Sequence, residues 1–260
     1  MSLCLVTAFF DIGRNAWSQY RRSVDEYFNS FKPYLDLKHE MIVFIDDRYS
    51  QQFRDLCNNN TNITIIDINM DWLMTNIHAY GRLDQERAIM KSDSYKQLVS
   101  HRSSCPECFI PEYNMLQHAK IDFVCYVIVN KLSSAEYFAW TDFGYFKSSK
   151  LMPNNPLQLD KFDLKKINFQ TINPVREIDN DINYTLKVAR ETIGGFFHLG
   201  SKELLLKYQE LYHEVHEDFH NKGVVDDDQH LMLQCYFRNR DMFHLWDLHG
   251  WHLIYTYFQQ

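Results

Sequence analysis

The fold is decided by residues 3–11, LCLVTAFFD, a short apolar run that ends at a carboxylate. A run that is apolar on both faces is typical of a strand buried on both sides of a parallel sheet. Comparable runs recur at 41–45 and 63–68, and residues 17–35 between the first two runs carry apolar side chains at the three-to-four spacing of a helix. Strand, helix and strand in this order predict a βαβ opening.

The rest of the chain continues the alternation of helices and strands, with no internal repeat or low-complexity linker. We expect an irregular stretch over 147–186, in which Ile167, Phe169 and Thr171 alternate with polar residues, as in β-excursions or an acceptor lobe rather than a further βα unit. The pattern predicts an α/β fold with a mostly parallel central sheet flanked by helices. The remaining predicted elements are helices at 82–101, 112–131, 201–220 and 226–239, a strand at 137–140, and a terminal strand and tail at 243–257.

Composition and charge exclude several classes of protein. The 260 residues carry 27 basic and 34 acidic side chains, a net charge of -7, which offers no broad basic surface to nucleic acid or to an anionic membrane. The first residues lack the basic segment and the cleavage site of a signal peptide, and no run reaches the roughly 18 apolar residues of a membrane span. We expect a soluble, cytoplasmic protein with no nucleic-acid partner.

The six cysteines are spread through a chain that is long enough to fold without disulfides, so reduced thiols are expected. Cys105 and Cys108 form a C-P-E-C pair with His101 before it and His118 after it. This is half of a zinc site, and no second C-x-x-C or H-x-x-x-H group completes it. The sequence therefore gives little support to zinc at this pair.

Carboxylates follow the predicted strands. The run FAWTDFG at 138–144 places Asp142 at a strand end, where Mg²⁺ or Mn²⁺ bound to a diphosphate finds its oxygen ligand. Ligands of such sheets sit beyond the carboxyl ends of the strands, so Asp11, Arg14, Asp46, Asp47 and Asp142 should converge on one crevice. The alternative for Asp142 is a plain turn cap, with glycine supplying the turn.

Three carboxylates stand together in GVVDDDQH at 223–230, at the start of a predicted helix. One such side chain caps the helix, and three exceed what capping requires. Crowded carboxylates raise one another's pKa, and a raised pKa suits a general base toward an acceptor hydroxyl. Asp227 and Asp228 are the candidates for that catalytic role; ordinary helix capping is the alternative.

The C-terminal run WDLHGWH at 246–252 crowds imidazoles and indoles around a glycine. His249 is a candidate to complete a metal site that Asp142 begins, and Trp251 is a candidate to stack on a sugar face. The alternative is a buried histidine, satisfied by hydrogen bonds beside core tryptophans.

Taken together, several short motifs resemble the HtrL/YibB family, bacterial and viral proteins associated with surface-polysaccharide synthesis. The order and spacing of these motifs match over nearly the whole chain. They are VTAFFDIGR at 6–14, PEYN at 111–114 with Ala119 and Lys120, W-x-D-x-G at 140–144, and DDQ at 227–229.

The resemblance implies a GT-A-like glycosyltransferase with a nucleotide-binding half, 1–145, and an acceptor-binding half, 146–260, in one domain. It implies Mn²⁺ or Mg²⁺ on the diphosphate of a nucleotide sugar. It also implies nucleotide contacts from Thr7, Phe9, Asp11, Arg14 and Lys120, with Arg14 or Lys120 neutralising the diphosphate. Surface roles are the alternative for these two cations.

The chain departs from the family's usual D-x-D metal motif, because Trp140 stands at the first position and Asp142 is a lone carboxylate. Gly194 and Gly195 precede a predicted helix, but the segment lacks the lysine and hydroxyl residue of a phosphate loop. We expect a Gly-Gly turn that shapes the sugar and acceptor pocket; a tight turn among core phenylalanines is the alternative.

The leading functional hypothesis is a metal-dependent glycosyltransferase that moves a sugar from a nucleoside diphosphate sugar, a UDP-sugar above all, to a hydroxyl of a glycan. A second hypothesis is a metal-dependent phosphodiesterase that holds two ions with the same carboxylates. The third is a non-catalytic carbohydrate-binding module that uses its aromatic side chains.

Overall fold

Strands from both halves of the chain form one seven-stranded sheet, in the order β3-β2-β1-β4-β6-β5-β7. The computed structural model describes residues 1–58, 60–102, 104–147 and 156–258. The strands are β1 (Leu3–Phe9), β2 (Glu40–Asp46), β3 (Ile63–Ile68), β4 (Tyr137–Thr141), β5 (Ile167–Thr171), β6 (Ile193–Ser201) and β7 (Phe243–Asp247).

Four of the six strand pairings are parallel: β1 with β2, β2 with β3, β1 with β4, and β5 with β7. Strand β6 runs antiparallel to both of its neighbours, β4 and β5. The predicted α/β class with a mostly parallel sheet flanked by helices is confirmed. The β-excursion predicted within 147–186 is confirmed by β5, whereas the helix that begins at Ile182 was not predicted; residues 148–155 of that segment are outside the described ranges.

Ten α-helices belong to the described ranges, and none of them is both long and apolar enough to cross a bilayer. They are α1 (Val24–Phe31), α2 (Ser50–Cys57), α3 (Met70–Asn76), α4 (Leu83–Lys91), α5 (Asp93–Leu98), α6 (Pro111–Val129), α7 (Ile182–Val188), α8 (Lys202–Asn221), α9 (Asp228–Arg238) and α10 (Ile254–Tyr257).

Two predicted helices are shorter than expected because a new helix begins at a capping serine inside each predicted range. The helix predicted at 17–35 begins only at Val24, where Ser23 and Glu26 form a capping box. The helix predicted at 82–101 is divided at Ser92, whose hydroxyl accepts a hydrogen bond from the backbone N–H of Tyr95 and so starts α5.

Alternate residues of the strands feed two separate cores, one on each face of the sheet. Val6 and Phe44 pack in the core that includes α6 and α8, whereas Leu5 and Val43 pack in the core that includes α1 and α2. Because the side-chain period of a strand is two, an apolar run fills both cores at once. This explains why the strands read as continuous apolar runs.

Helix α6 is a central helix, not an amphipathic surface helix. It packs against β1 and β4 on one side and against α4 and α8 on the other. Polar side chains of α6 are therefore buried along with apolar ones, among them Asn114, His118, Lys120 and Asp122. The surface role considered for Lys120 is wrong, since the residue is only 7% exposed.

The expected Gly-Gly turn is also wrong, because Gly194 and Gly195 lie inside β6. The antiparallel direction of β6 places its first residues beside the carboxyl end of β4. There the backbone N–H of Asp142 donates to the carbonyl of Phe196 over 3.0 Å. Residues from the second half of the chain thereby reach the strand ends of the first half.

Candidate active site

A cavity of about 400 Å³ opens beyond the carboxyl ends of β1 and β4. Its wall is completed by the first residues of β6, the start of α9 and the loop after β7. Nine of the twelve residues predicted for the site line this cavity. They are Phe9, Asp11, Arg14, Lys120, Asp142, Gly195, Asp227, Asp228 and Trp251.

Three predicted residues do not line the cavity. Thr7 is buried within β1, and its Oγ1 has no hydrogen-bond partner among the described residues. Gly194 faces the ring of Phe196, where an added Cβ would lie 2.2 Å from a ring carbon. His249 is more than half exposed, and its Nδ1 lies 3.1 Å from a carboxylate oxygen of Asp247. His249 and Asp142 are therefore not brought together as the sequence suggested.

The ammonium group of Lys120 is the centre of the site. Its Nζ lies 2.7 Å from Oδ2 of Asp228 and 3.2 Å from Oδ1 of Asp142, and it donates to the carbonyl of Gly195 over 2.9 Å. The hydrogen bond to Gly195 occupies one of the three N–H donors of the ammonium group, and the two carboxylates are its ionic partners. Lys120 thus lies between two carboxylates of the cavity and holds them in place.

Burial and charge work against each other in this cluster. Burial alone would lower the pKa of Lys120, but Asp142 and Asp228 outweigh it and hold that pKa above its ordinary value. Burial likewise tends to raise the pKa of Asp142, and Lys120 with the Trp140 indole lowers it overall. For Asp228, burial and the nearby Asp142 charge raise the pKa despite Lys120. The cluster is therefore a charged ammonium between two carboxylates of different basicity.

The Asp142 carboxylate contacts the protein through Oδ1 and lines the cavity. Trp140 donates its Nε1–H to Oδ1 over 2.9 Å, the same oxygen that lies beside Lys120. About a third of the Asp142 side chain is exposed, at 34%. Trp140 therefore replaces the first carboxylate of a D-x-D motif with a donor that orients the second.

The three consecutive aspartates at the start of α9 differ in their partners. Asp228 pairs with Lys120, as described above. Asp226 turns away from the cavity to Arg102 and to His230 Nδ1, and these partners overcome the effect of burial and lower its pKa. Asp227 caps α9 by accepting the backbone N–H of Gln229 over 3.1 Å. Burial, followed by the charges of Asp226 and Asp228, holds the pKa of Asp227 well above its ordinary value.

A group of cationic side chains lines the cavity near the end of β1. Arg14 donates to the backbone oxygen of Tyr20 and to the hydroxyl of Tyr27, each over 2.8 Å. Arg22 donates to Ser30 Oγ over 2.7 Å and lies over the Tyr27 ring at 4.1 Å. Arg22 and Lys147 both line the cavity and were missed by the sequence argument, because neither belongs to a motif.

The loop after β7 brings Trp251 and His252 to the cavity. Gln170 of β5 fixes this loop by donating to the carbonyl of Gly250 and accepting the N–H of Leu253. The His252 ring stacks on Phe196 at 4.5 Å, and burial, more than the charge of Lys147, lowers its pKa to about 3. His252 therefore stands in the wall where His249 was predicted.

The strand-end residues of β2 do not reach the cavity. Asp46 is buried, pairs with Arg48, and accepts the backbone N–H of Asp11 over 3.1 Å. Asp47 is exposed and accepts a hydrogen bond from Asn69. The expectation that both aspartates converge with Asp142 is wrong; Asp46 positions the loop that carries Asp11.

All six cysteines are free thiols, as expected for a chain that needs no disulfides. Cys105 lines the cavity, Cys108 is buried, and His118 Nδ1 is within 2.7 Å of the Tyr212 hydroxyl. Among the described residues, two groups of three side chains are close enough to share a metal ion, and neither group contains a cysteine.

Comparison with known proteins places this chain in a family. The crystal structure of mouse xyloside xylosyltransferase 1 in its apo form resembles it with a TM-score of 0.49 and 9% identity, over 95% of this chain and 86% of that one; nothing about catalysis follows from so distant a likeness. Protein HtrL of Escherichia coli (strain K12) is 28% identical over 256 residues, 94% of this chain and 87% of that protein. The family model described as "Bacterial protein of unknown function (HtrL_YibB)" matches residues 1–260, so the chain belongs to the HtrL_YibB family.

Proposed function

We propose that this protein is a glycosyltransferase that moves a sugar from a nucleoside diphosphate sugar, with UDP as the nucleotide, to a hydroxyl of a glycan. The observation that carries the proposal is the cavity itself, which combines a carboxylate cluster at a strand end with arginines and an exposed indole. The 1–145 half supplies the nucleotide contacts and two arginines for the diphosphate, and Lys147 adds a cation from the second half. The 146–260 half supplies the α9 carboxylates and Trp251 on the acceptor side.

The cationic side chains suit a diphosphate. Arg14, Arg22 and Lys147 line one cavity, and a guanidinium matches two phosphate oxygens at once. Charge that develops on the leaving diphosphate is stabilised by such fixed cations in a site shielded from water. Lys120 lies in the same cavity, paired with Asp142 and Asp228, and its charge adds to that of the arginines.

The expected Mn²⁺ or Mg²⁺ fits the residues present. Both contacts of the Asp142 carboxylate with Trp140 and Lys120 go to Oδ1, and the side chain is partly exposed to the cavity. Such ions commonly take one or two protein carboxylates and complete their shell with water and phosphate oxygens. Asp142 would hold the ion, with the neutral His252 imidazole in the same wall. Bound there, the ion supplies positive charge next to the diphosphate.

The carboxylates before α9 suit the acceptor side of the reaction. Transfer forms a bond between the acceptor oxygen and the anomeric carbon, breaks the bond to the diphosphate, and releases the hydroxyl proton. In an inverting reaction Asp227 or Asp228 takes that proton, since each lines the cavity and each has a raised pKa. A retaining reaction would not require this base.

The test is release of UDP from a panel of UDP-sugars, which many transferases hydrolyse slowly when no acceptor is present. We expect at least one donor to be consumed by the wild-type protein with Mn²⁺, and the rate to fall by a factor of about 100 or more in Asp142→Asn. Asp47→Asn is the matched control, because Asp47 also follows a strand but does not line the cavity. Turnover of a phosphodiester without any sugar nucleotide, or glycan binding without nucleotide, would favour the phosphodiesterase or the carbohydrate-binding module.

A further inference from the structure

A second cluster of metal-ligating side chains lies away from the cavity, between α4, α6 and α8. Its members are Glu86 of α4, and His216 and His220 of α8. They are 0%, 2% and 5% exposed, respectively, so the cluster is enclosed by protein. One potential ligand atom from each residue lies within 4.8 Å of the other two.

The spacing along α8 explains why the two imidazoles meet. Residues four apart lie on one face of a helix, and the rings of His216 and His220 are 4.4 Å apart between centroids. Glu86 reaches them from α4, where its Oε2 lies 2.6 Å from His220 Nε2. The carboxylate is oriented by Asn114 of α6, which donates to Oε1 over 2.8 Å.

One atom of the cluster has no partner. His216 Nε2 is buried and finds no hydrogen bond in the described part of the chain. A buried polar atom without a partner costs on the order of 1–3 kcal/mol, and such atoms are uncommon in native proteins.

We infer that Glu86, His216 and His220 form a binding site for a divalent transition-metal ion, with zinc as the best chemical match. Two imidazoles and one carboxylate are a ligand set typical of zinc, and a water molecule or hydroxide can take the fourth position. Oxygen-preferring ions such as Mg²⁺ are disfavoured by two nitrogen ligands. Asn114 acts on Glu86 as the outer partner that commonly orients a metal ligand.

The site is independent of the proposed transferase chemistry, because none of its three ligands lines the cavity. Its ligands come from α4 and α8, and α6 contributes Asn114 beside Glu86. An ion there would link α4 to α8 and stabilise the folded state, since a metal that binds only the folded chain adds its binding free energy to folding.

The test uses the full chain, stripped with a chelator and then titrated with Zn²⁺ or Co²⁺. We expect one ion per chain, a Co²⁺ spectrum typical of four-coordinate nitrogen and oxygen ligands without a thiolate-to-cobalt charge-transfer band, and a higher midpoint of thermal unfolding. Glu86→Gln and His216→Gln should each weaken binding by a factor of about 100 or more, and Asn114→Ala by a factor of about 10 to 100. His101→Gln, an exposed histidine outside the cluster, and Asp142→Asn in the cavity should bind as the wild type does.

The inference would be overturned by no stoichiometric Zn²⁺ on the wild-type chain, by a thiolate band that points to Cys105 and Cys108, or by unchanged affinity in the Glu86 and His216 variants. The wild-type spectrum decides the question even where a variant fails to fold. Loss of binding in Asp142→Asn alone would place the ion in the cavity and also overturn it.

Discussion

Gly195 faces the carboxylate of Asp228 so closely that a Cβ at this position would lie 2.1 Å from Oδ2. The same oxygen lies 2.7 Å from Lys120 Nζ, and the Gly195 carbonyl accepts a hydrogen bond from that ammonium group. Glycine is thus required at this point of β6 for close approach, and the approach links the sheet to α9.

Gly195→Ala should disturb the cluster while leaving the sheet intact. The added methyl group must push the Asp228 carboxylate away from Lys120, so we expect UDP release from the active donor to fall by a factor of about 10 or more, with a loss of about 1–3 kcal/mol in the free energy of unfolding. Gly81→Ala is the control, since a Cβ there meets nothing within 4 Å. Equal rates of UDP release in the two variants would show that the close approach of Gly195 and Asp228 does not matter for activity.

Lys120→Met should destabilise the protein strongly. Removing the ammonium leaves the Asp142 and Asp228 carboxylates close together without a counter-charge, and breaking a buried ion pair costs about 3–5 kcal/mol. Urea unfolding measures this loss. Lys91→Met, at an exposed position of α4, should change the free energy of unfolding by less than about 0.5 kcal/mol. A loss as small as that of the control would show that the cluster is not held by Lys120.

Arg22→Gln should weaken nucleotide binding. Hydrogen bonds to a charged group contribute about 1.5–3 kcal/mol, so the affinity for UDP should fall by a factor of about 10 to 100, and the difference should shrink at high salt. Arg21→Gln removes the same charge from the neighbouring exposed residue, which does not line the cavity. Equal losses in the two variants would point to a general charge effect and contradict a direct contact.

His198 of β6 gives a pH dependence that can be isolated by one substitution. Burial, and secondarily the charge of Lys120, lower the pKa of His198 to about 3, against an ordinary value of 6.5. Below pH 6.5 the unfolded chain binds a proton that the folded chain does not, so this residue removes up to about 1.4 kcal/mol of stability per pH unit between pH 6.5 and about 3. Above pH 6.5 it has no such effect.

In His198→Phe this loss should disappear. As the pH falls from 7 to 5, the free energy of unfolding of the variant should rise by roughly 2 kcal/mol relative to that of the wild type, as measured by urea unfolding. The reason is that His198 of the unfolded wild-type chain takes up a proton over about 1.5 pH units of that range. A difference that stays constant with pH would mean that His198 takes up a proton in the folded state as readily as in the unfolded chain.

The first half of the fold could be predicted from the sequence because its strands are short, mostly apolar runs, of which β1 and β2 are buried on both faces. The apolar run at 63–68 coincides with β3, and residues 137–140 fall within β4. The second half escaped prediction at β6, where two glycines in succession indicate a turn. Gly195 is explained by a three-dimensional contact, the approach of Asp228, which no local pattern contains.

The candidate site was predictable where a carboxylate follows a strand, as at Asp142, and not where a loop decides. The sequence analysis chose His249, whereas His252 enters the cavity wall, because the loop is fixed by its hydrogen bonds with Gln170 and by the stacking of His252 on Phe196. The start of α1 carried a usable signal, since Ser23 and Glu26 have the spacing of a capping box.

The most direct test of the proposed function is calorimetric titration of UDP and of uridine into the wild-type protein, with Mn²⁺ and then with EDTA. If the cavity holds a diphosphate between its arginines and an ion at Asp142, UDP should bind at least about 10-fold more tightly than uridine, and EDTA should weaken UDP binding alone. Equal affinity for UDP and uridine, or no binding of either, would contradict the account of this cavity as a nucleotide-sugar site.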